Sequence, residues 1–103
     1  MNLQLTFDEV LTHKDKFLAY HNSNPEVYTA LEEMTQQLII RGRTRIGIGF
    51  LCEVLRWNHL MKTNDPNSDF KINNNYRAHY ARLLIAHHPD WAEFFELRQI
   101  RSE

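Results

Sequence analysis

The sequence predicts a small, single, mainly α-helical domain carrying one β-hairpin, winged-helix-like or otherwise a helix-turn-helix derivative. Three observations predict it. The chain has 103 residues, 43% of them hydrophobic and only three each Gly and Pro, enough for one core and no second domain. Apolar residues recur at helical spacing through most of the length. That period breaks once, after Trp57, where turn-forming residues separate two short stretches.

The first helix is expected in TFDEVLTHKDKFLAY, where Thr6 and Glu9 have capping-box spacing and Phe7, Val10, Leu11, Phe17 and Leu18 share a face. HNSNPE ends it and starts the second: Ser23 and Glu26 form another capping-box pair, and Pro25 sits in the first turn, where its missing N–H costs nothing. Val27, Leu31, Met34 and Leu38 mark the buried stripe of this helix, and Gly42 is its stop.

Thr44 is the expected cap of a third helix, RIGIGFLCEVLRW, with Ile46, Phe50, Val54 and Trp57 as its core ridge and Leu51 and Leu55 widening it. Gly47 and Gly49 weaken its opening, since each costs up to about 1 kcal/mol against Ala in a helix. They point to close packing of another helix or to a passing nucleic-acid backbone. NHLMKT, the turn NDPNSD and FKIN read as the hairpin. Asn73 or Asn74 then caps NYRAHYARLLIAHH, with Tyr76, Tyr80, Leu83, Leu84 and His87 on one side. Pro89 ends that helix, and a short last one brings Trp91, Phe94, Phe95 and Leu97 as an aromatic cap to the core.

The net charge of −1 conceals an uneven distribution. From Arg41 to Arg82 there are eight bases (Arg41, Arg43, Arg45, Arg56, Lys62, Lys71, Arg77 and Arg82) against Glu53, Asp65 and Asp69, a balance of +5 between flanks that total −6. RGRTR places three arginines in a helix-entry loop, where guanidinium groups can hold phosphate oxygens and free helix N–H groups add to the pull on an anion. Lys62 and Lys71 flank the hairpin, placed for phosphates of a neighbouring groove. Asn74, Asn75, Arg77 and Arg82 lie on the following helix, and Asn and Arg are the side chains that pair bidentately with adenine and guanine. The same asparagines serve equally well as turn and cap residues, and Tyr76 with Tyr80 as a core stripe.

Other chemistry finds little footing. The lone Cys52 excludes a disulfide framework and a Cys-rich zinc site, and its apolar neighbours make it a small core residue. The six histidines have no metal-ligand spacing, with His87 and His88 on different sides of a helix. Asp65 followed by Asp69-Phe70-Lys71 faintly resembles a nuclease metal motif, but a two-stranded ribbon cannot frame one. There is no Gly-rich phosphate loop, nucleophile elbow or carboxylate pair, so neither an enzyme nor a cofactor is expected. No apolar run nears the ~20 residues a spanning helix needs, and the N-terminus is acidic where a signal peptide is basic. A cytoplasmic protein without a membrane partner is the expectation.

Arg56-Trp57 closing one helix, a strand leading into NNNY at Asn73 to Tyr76, and the triplet Tyr80-Ala81-Arg82 followed by a Pro and a short aromatic helix resemble a family of small, uncharacterised bacteriophage and prophage proteins with an NNNYxxxYAR motif. The resemblance covers roughly residues 25 to 98. It implies a mobile-element setting and brings no activity or site residues. The expected function is therefore a small non-enzymatic phage-type binder of duplex DNA, such as a transcriptional regulator. The competing expectation is a phage-encoded module that inhibits or adapts a host protein through acidic residues such as Glu32, Glu33, Glu93 and Glu96. A homodimer is open under either.

Overall fold

A one-residue corner joins the first two helices. The computed structural model describes residues 13–68 and 70–95, and the first described helix is α1, His13–Ser23. The N–H of Asn24 donates to the Tyr20 carbonyl at 2.9 Å, and its side-chain amide donates to the same oxygen at 3.0 Å. Helix α2, Pro25–Ile40, starts at the next residue with its proline in the first turn. The Ser23–Glu26 capping box does not form: Ser23 is still inside α1, and Asn24, the residue at the cap, turns its side chain back onto α1. The capping box expected at Thr6 and Glu9, and the apolar positions Phe7, Val10 and Leu11, lie outside the described residues.

The predicted stripe of α2 does face the core: Val27 and Leu31 are buried, and Met34 and Leu38 pack on them half-buried. Thr35 is buried too, and its hydroxyl donates back to the Leu31 carbonyl at 2.8 Å, so this buried hydroxyl is paired within its own helix. Gly42 stops the helix with φ +88°. Its N–H donates to the Ile39 carbonyl at 2.9 Å and that of Arg43 to Leu38 at 3.0 Å, the paired closure that a left-handed residue makes possible.

Residues 43–47 then form a linker without regular secondary structure, and α3, Ile48–Lys62, starts three residues later than a Thr44 cap would place it, with Gly47 at the cap. The Ile46 N–H donates to the Phe94 carbonyl at 3.1 Å. That tie engages the Ile46 N–H outside any helix, and α3 starts only after it.

No strand forms among the described residues, so the expected hairpin and the wing it would have supplied are absent there. Asn58 to Lys62 are the last turn of α3. The physical reason is local: His59, Leu60, Met61 and Lys62 include no β-branched side chain, and His59 and Lys62 suit the negative end of a helix. The NDPNSD turn does exist, with the Asn67 N–H donating to Asp65 Oδ1 at 2.9 Å, but it joins helix to helix. Beyond it Phe70 packs on His59, ring centres 4.7 Å apart, and Ile72 is buried in the core.

Helix α4, Asn74–His87, is capped by Asn73, whose Oδ1 accepts from the Asn75 N–H at 2.8 Å. Tyr80, Ala81 and Leu84 are fully buried, and Phe17 of α1 meets Tyr80 edge-on at 4.7 Å. A 3-10 turn, Pro89–Trp91, follows, and Trp91, Phe94 and Phe95 close the core as the sequence led us to expect. Residues 92–95 continue as turns and a bend in place of the expected last helix, and Leu97 lies outside the described residues.

Candidate nucleic-acid interface

Helices α3 and α4 meet at a glycine. A Cβ on Gly49 would stand 3.2 Å from Arg77 Nη1, so the missing side chain makes room for a guanidinium. That guanidinium reaches Glu53 Oε2 at 2.9 Å, and the other carboxylate oxygen lies 3.9 Å from Arg56 Nη1. One acid thus sits between two arginines. A helix approaches closely at Gly49, one of the two readings open from the sequence, and what passes is a side chain. Gly47 has nothing within 4 Å.

Arg77 therefore faces α3. Arg82, five residues on and so about 140° round the helix, is exposed on the outside. Asn75 is seven residues before it, about two turns away and nearly in line. Between and beyond them stand Ala78 and Ala86, the first half-buried and the second exposed. The outer face of α4 thus presents Asn75, Ala78, Arg82 and Ala86 in succession. Nothing bulky stands among them, and the helix NNYRAHYARLLIAH contains no Asp or Glu. Asn74, its first residue, is exposed as well.

The other predicted phosphate contacts occupy separate places. Arg41, Arg43 and Arg45 are exposed in and before the linker, ahead of the first turn of α3 rather than on it. Lys62 is exposed at the other end of α3, about 21 Å along the axis. Lys71 is exposed between Phe70, which packs near that end, and buried Ile72. The structure thus brings Asn75 and Arg82 onto one face and turns Arg77 away from it, with the arginine loop and the lysines at opposite ends of α3.

Tyr76 is a packing residue, half-buried with its ring 5.2 Å from Tyr20 and 5.9 Å from Phe17. His79 is buried and stacks on Phe17 at 5.2 Å. His87 is exposed at the end of α4, with its Nδ1 2.5 Å from the Tyr28 hydroxyl. His88 stacks on Trp91 at 3.8 Å and bonds Glu32 Oε2 at 2.6 Å. Burial first, then the charge and hydrogen bond of Glu32, push the Tyr28 phenol up to about 12. Glu32 is thus engaged within the fold, whereas Glu33 and Glu93 are exposed; Glu96 lies outside the described residues.

Cys52 is buried, and desolvation raises its thiol to about 11 against the opposing pull of Arg77, which suits packing rather than nucleophilic attack. Asp69 of the nuclease-like motif lies outside the described residues. No group of three His, Cys, Asp or Glu able to hold a metal ion occurs among the described residues, nor is any described helix long and apolar enough to cross a membrane.

Part of the expected core ridge of α3 faces outward. Phe50 and Trp57, expected in the core ridge of α3, are 57% and 64% exposed, and Met61 on the same line is 66% exposed. Of the expected set, Leu51 is buried beside Cys52, and Ile46 and Leu55 pack against the core. Helix α3 is apolar on most of its circumference, so periodicity alone could not say which side packs inward. Compared with protein-family models, curated proteins and solved structures, the chain matches none.

Proposed function

We propose that this chain is a small, non-enzymatic, phage-type DNA-binding protein of the cytoplasm, in which α4 enters a groove of duplex DNA. The observation that carries the reading is the outer face of α4: Asn75 and Arg82 stand in line, with Ala78 between them and Ala86 beyond, on a helix without acids. Asn and Arg supply the paired donors and acceptors that distinguish adenine and guanine, and alanines let a helix axis come close to base edges. Lys71 and Asn74, just ahead of that face, and the arginines at 41, 43 and 45 supply phosphate contacts. The plan is a helix-turn-helix derivative without a wing, with α3 packed behind α4 through Gly49 and Arg77 and a longer connection between the two. A role in transcriptional regulation follows from such a plan.

Fluorescence anisotropy with a labelled random duplex at ~50 mM salt tests the reading, because nonspecific phosphate contacts are strongest there. Binding that falls on Arg82→Ala and Arg43→Ala supports it. No binding at that salt overturns it, and a stoichiometric host protein captured by the unmutated domain, indifferent to both changes, would put the inhibitor or adaptor reading in its place.

A further inference from the structure

We propose that the outer face of α3 joins two copies of this chain, packed antiparallel about a twofold axis. Phe50, Val54, Trp57 and Met61 follow one another at spacings of four, three and four residues. This is the apolar seam by which one helix packs lengthwise on another. Three of these side chains are more than half exposed, and Val54 is half-buried. No partner within the described fold covers them.

The spacing reads the same in both directions. A twofold axis midway between Val54 and Trp57 sets Phe50 of one copy against Met61 of the other, and Val54 against Trp57. An isologous contact needs this self-complementarity, since one patch must serve as both halves. Charge does not oppose it. The stripe itself carries no ionised group, and Glu53 on its edge already shares its charge with Arg77 and Arg56.

Shape and area agree. Beside the stripe, between α2 and α3, runs a groove of about 300 Å³ whose lining includes Met34, Leu38, Phe50 and Val54 together with Arg41 and Asn58. Under the twofold, the second copy's Trp57 falls opposite Val54 and so at this groove, where a large aromatic anchor contributes most. From their exposures, Phe50, Trp57 and Met61 offer roughly 400 Å² per copy. Leu60, 39% exposed, Val54 and Asn58 bring the total for two copies to about 1,000 Å², the lower bound for a specific interface. A dimer of modest affinity follows.

The dimer does not depend on DNA binding, and sedimentation equilibrium of the full chain without DNA tests it alone. We expect a monomer–dimer equilibrium between ~1 and ~300 μM protein. Trp57→Asp should weaken association by roughly 30-fold or more, as loss of an interface anchor does, with an unchanged far-ultraviolet circular dichroism spectrum because the side chain is exposed. The double variant F50C/M61C should form intermolecular disulfides on mild oxidation, while M61C alone should not, since like residues at one end of an antiparallel pair lie ~16 Å or more apart. A wild-type monomer at ~300 μM, a dimer indifferent to Trp57→Asp, or efficient cross-linking of M61C alone would each overturn the proposal. Association seen only with a host protein would do so as well.

Discussion

Arg77 and Glu53, twenty-four residues apart, pair at 2.9 Å across the seam between α3 and α4, and the same carboxylate lies within 3.9 Å of Arg56. The acid thereby neutralises part of the basic segment in which it lies. Glu53→Gln should cost no more than about 1 kcal/mol of stability, because the carboxylate is half exposed and water screens the pair. The same change should tighten duplex DNA binding and steepen its salt dependence, since two arginines lose their internal counter-charge. Anisotropy titrations of the two proteins at matched salt check this, and equal affinities would show that neither arginine lies near DNA.

The stop at Gly42 has its own energetic signature. With φ +88° and open space where a Cβ would be, the position resists other residues for backbone reasons and not for lack of room. Gly42→Ala should lower stability by about 1 kcal/mol, read as a lower urea midpoint at an unchanged slope. A midpoint that stays put would mean that the turn relaxes without its left-handed residue.

Tyr80 is wholly enclosed, and its hydroxyl has no hydrogen-bond partner among the described residues. Burying an unpaired hydroxyl is costly, so Tyr80→Phe should leave stability unchanged or raise it by up to about 1 kcal/mol. Thermal melts decide the sign. A clear loss would reveal a bound water or a further partner at that oxygen.

Alkaline pH should unfold the protein by a definable route. Burial raises the Cys52 thiol from 9.0 to about 11 and, with help from Glu32, the Tyr28 phenol from 10.0 to about 12. Burial raises Tyr80 and Tyr20 as well, each assisted by lesser charge effects. In every case the folded state holds a proton that the unfolded chain gives up first. The stabilisation is therefore complete below about pH 9 and drains away between the ordinary and the raised values. Urea midpoints at pH 8, 10 and 11 should fall in that order, and Cys52→Ala should soften the early part of the decline. A flat profile to pH 11 would contradict the burial of these groups.

Punctuation was the part of this fold most open to reading from sequence. Pro25, Gly42 and Asn73 each act through their own backbone or side chain, and each does what its chemistry dictates. The stretch after Trp57 was harder, because the turn at Asp65 to Ser68 suits a hairpin and a helix-to-helix connection alike. What decides between them is the helical preference of His59 to Lys62 and the burial of Ile72, and the second depends on the whole fold. Thr44 lost its role to a bond between Ile46 and Phe94, forty-eight residues apart. Within the candidate interface, Asn75 and Arg82 could be placed on one face by counting alone. Arg77 could not be withdrawn from it without knowing that Glu53 lies across the seam, nor could the exposure of Phe50 and Trp57 be told from a pattern that suits a core ridge equally well.

The salt dependence of duplex binding tests the role of the α4 face most directly. Each phosphate neutralised contributes about 0.9 to the slope of log affinity against log salt on B-DNA. In anisotropy titrations from ~50 to ~200 mM salt, Arg82→Ala should lower the affinity, with any loss of a phosphate contact appearing as a shallower slope. Asn75→Ala should lower affinity for a preferred sequence with the slope unchanged. Arg77→Ala, which removes a base turned away from that face, should lower the affinity less than Arg82→Ala does. Wild-type slopes and affinities in both Arg82→Ala and Asn75→Ala would contradict the account.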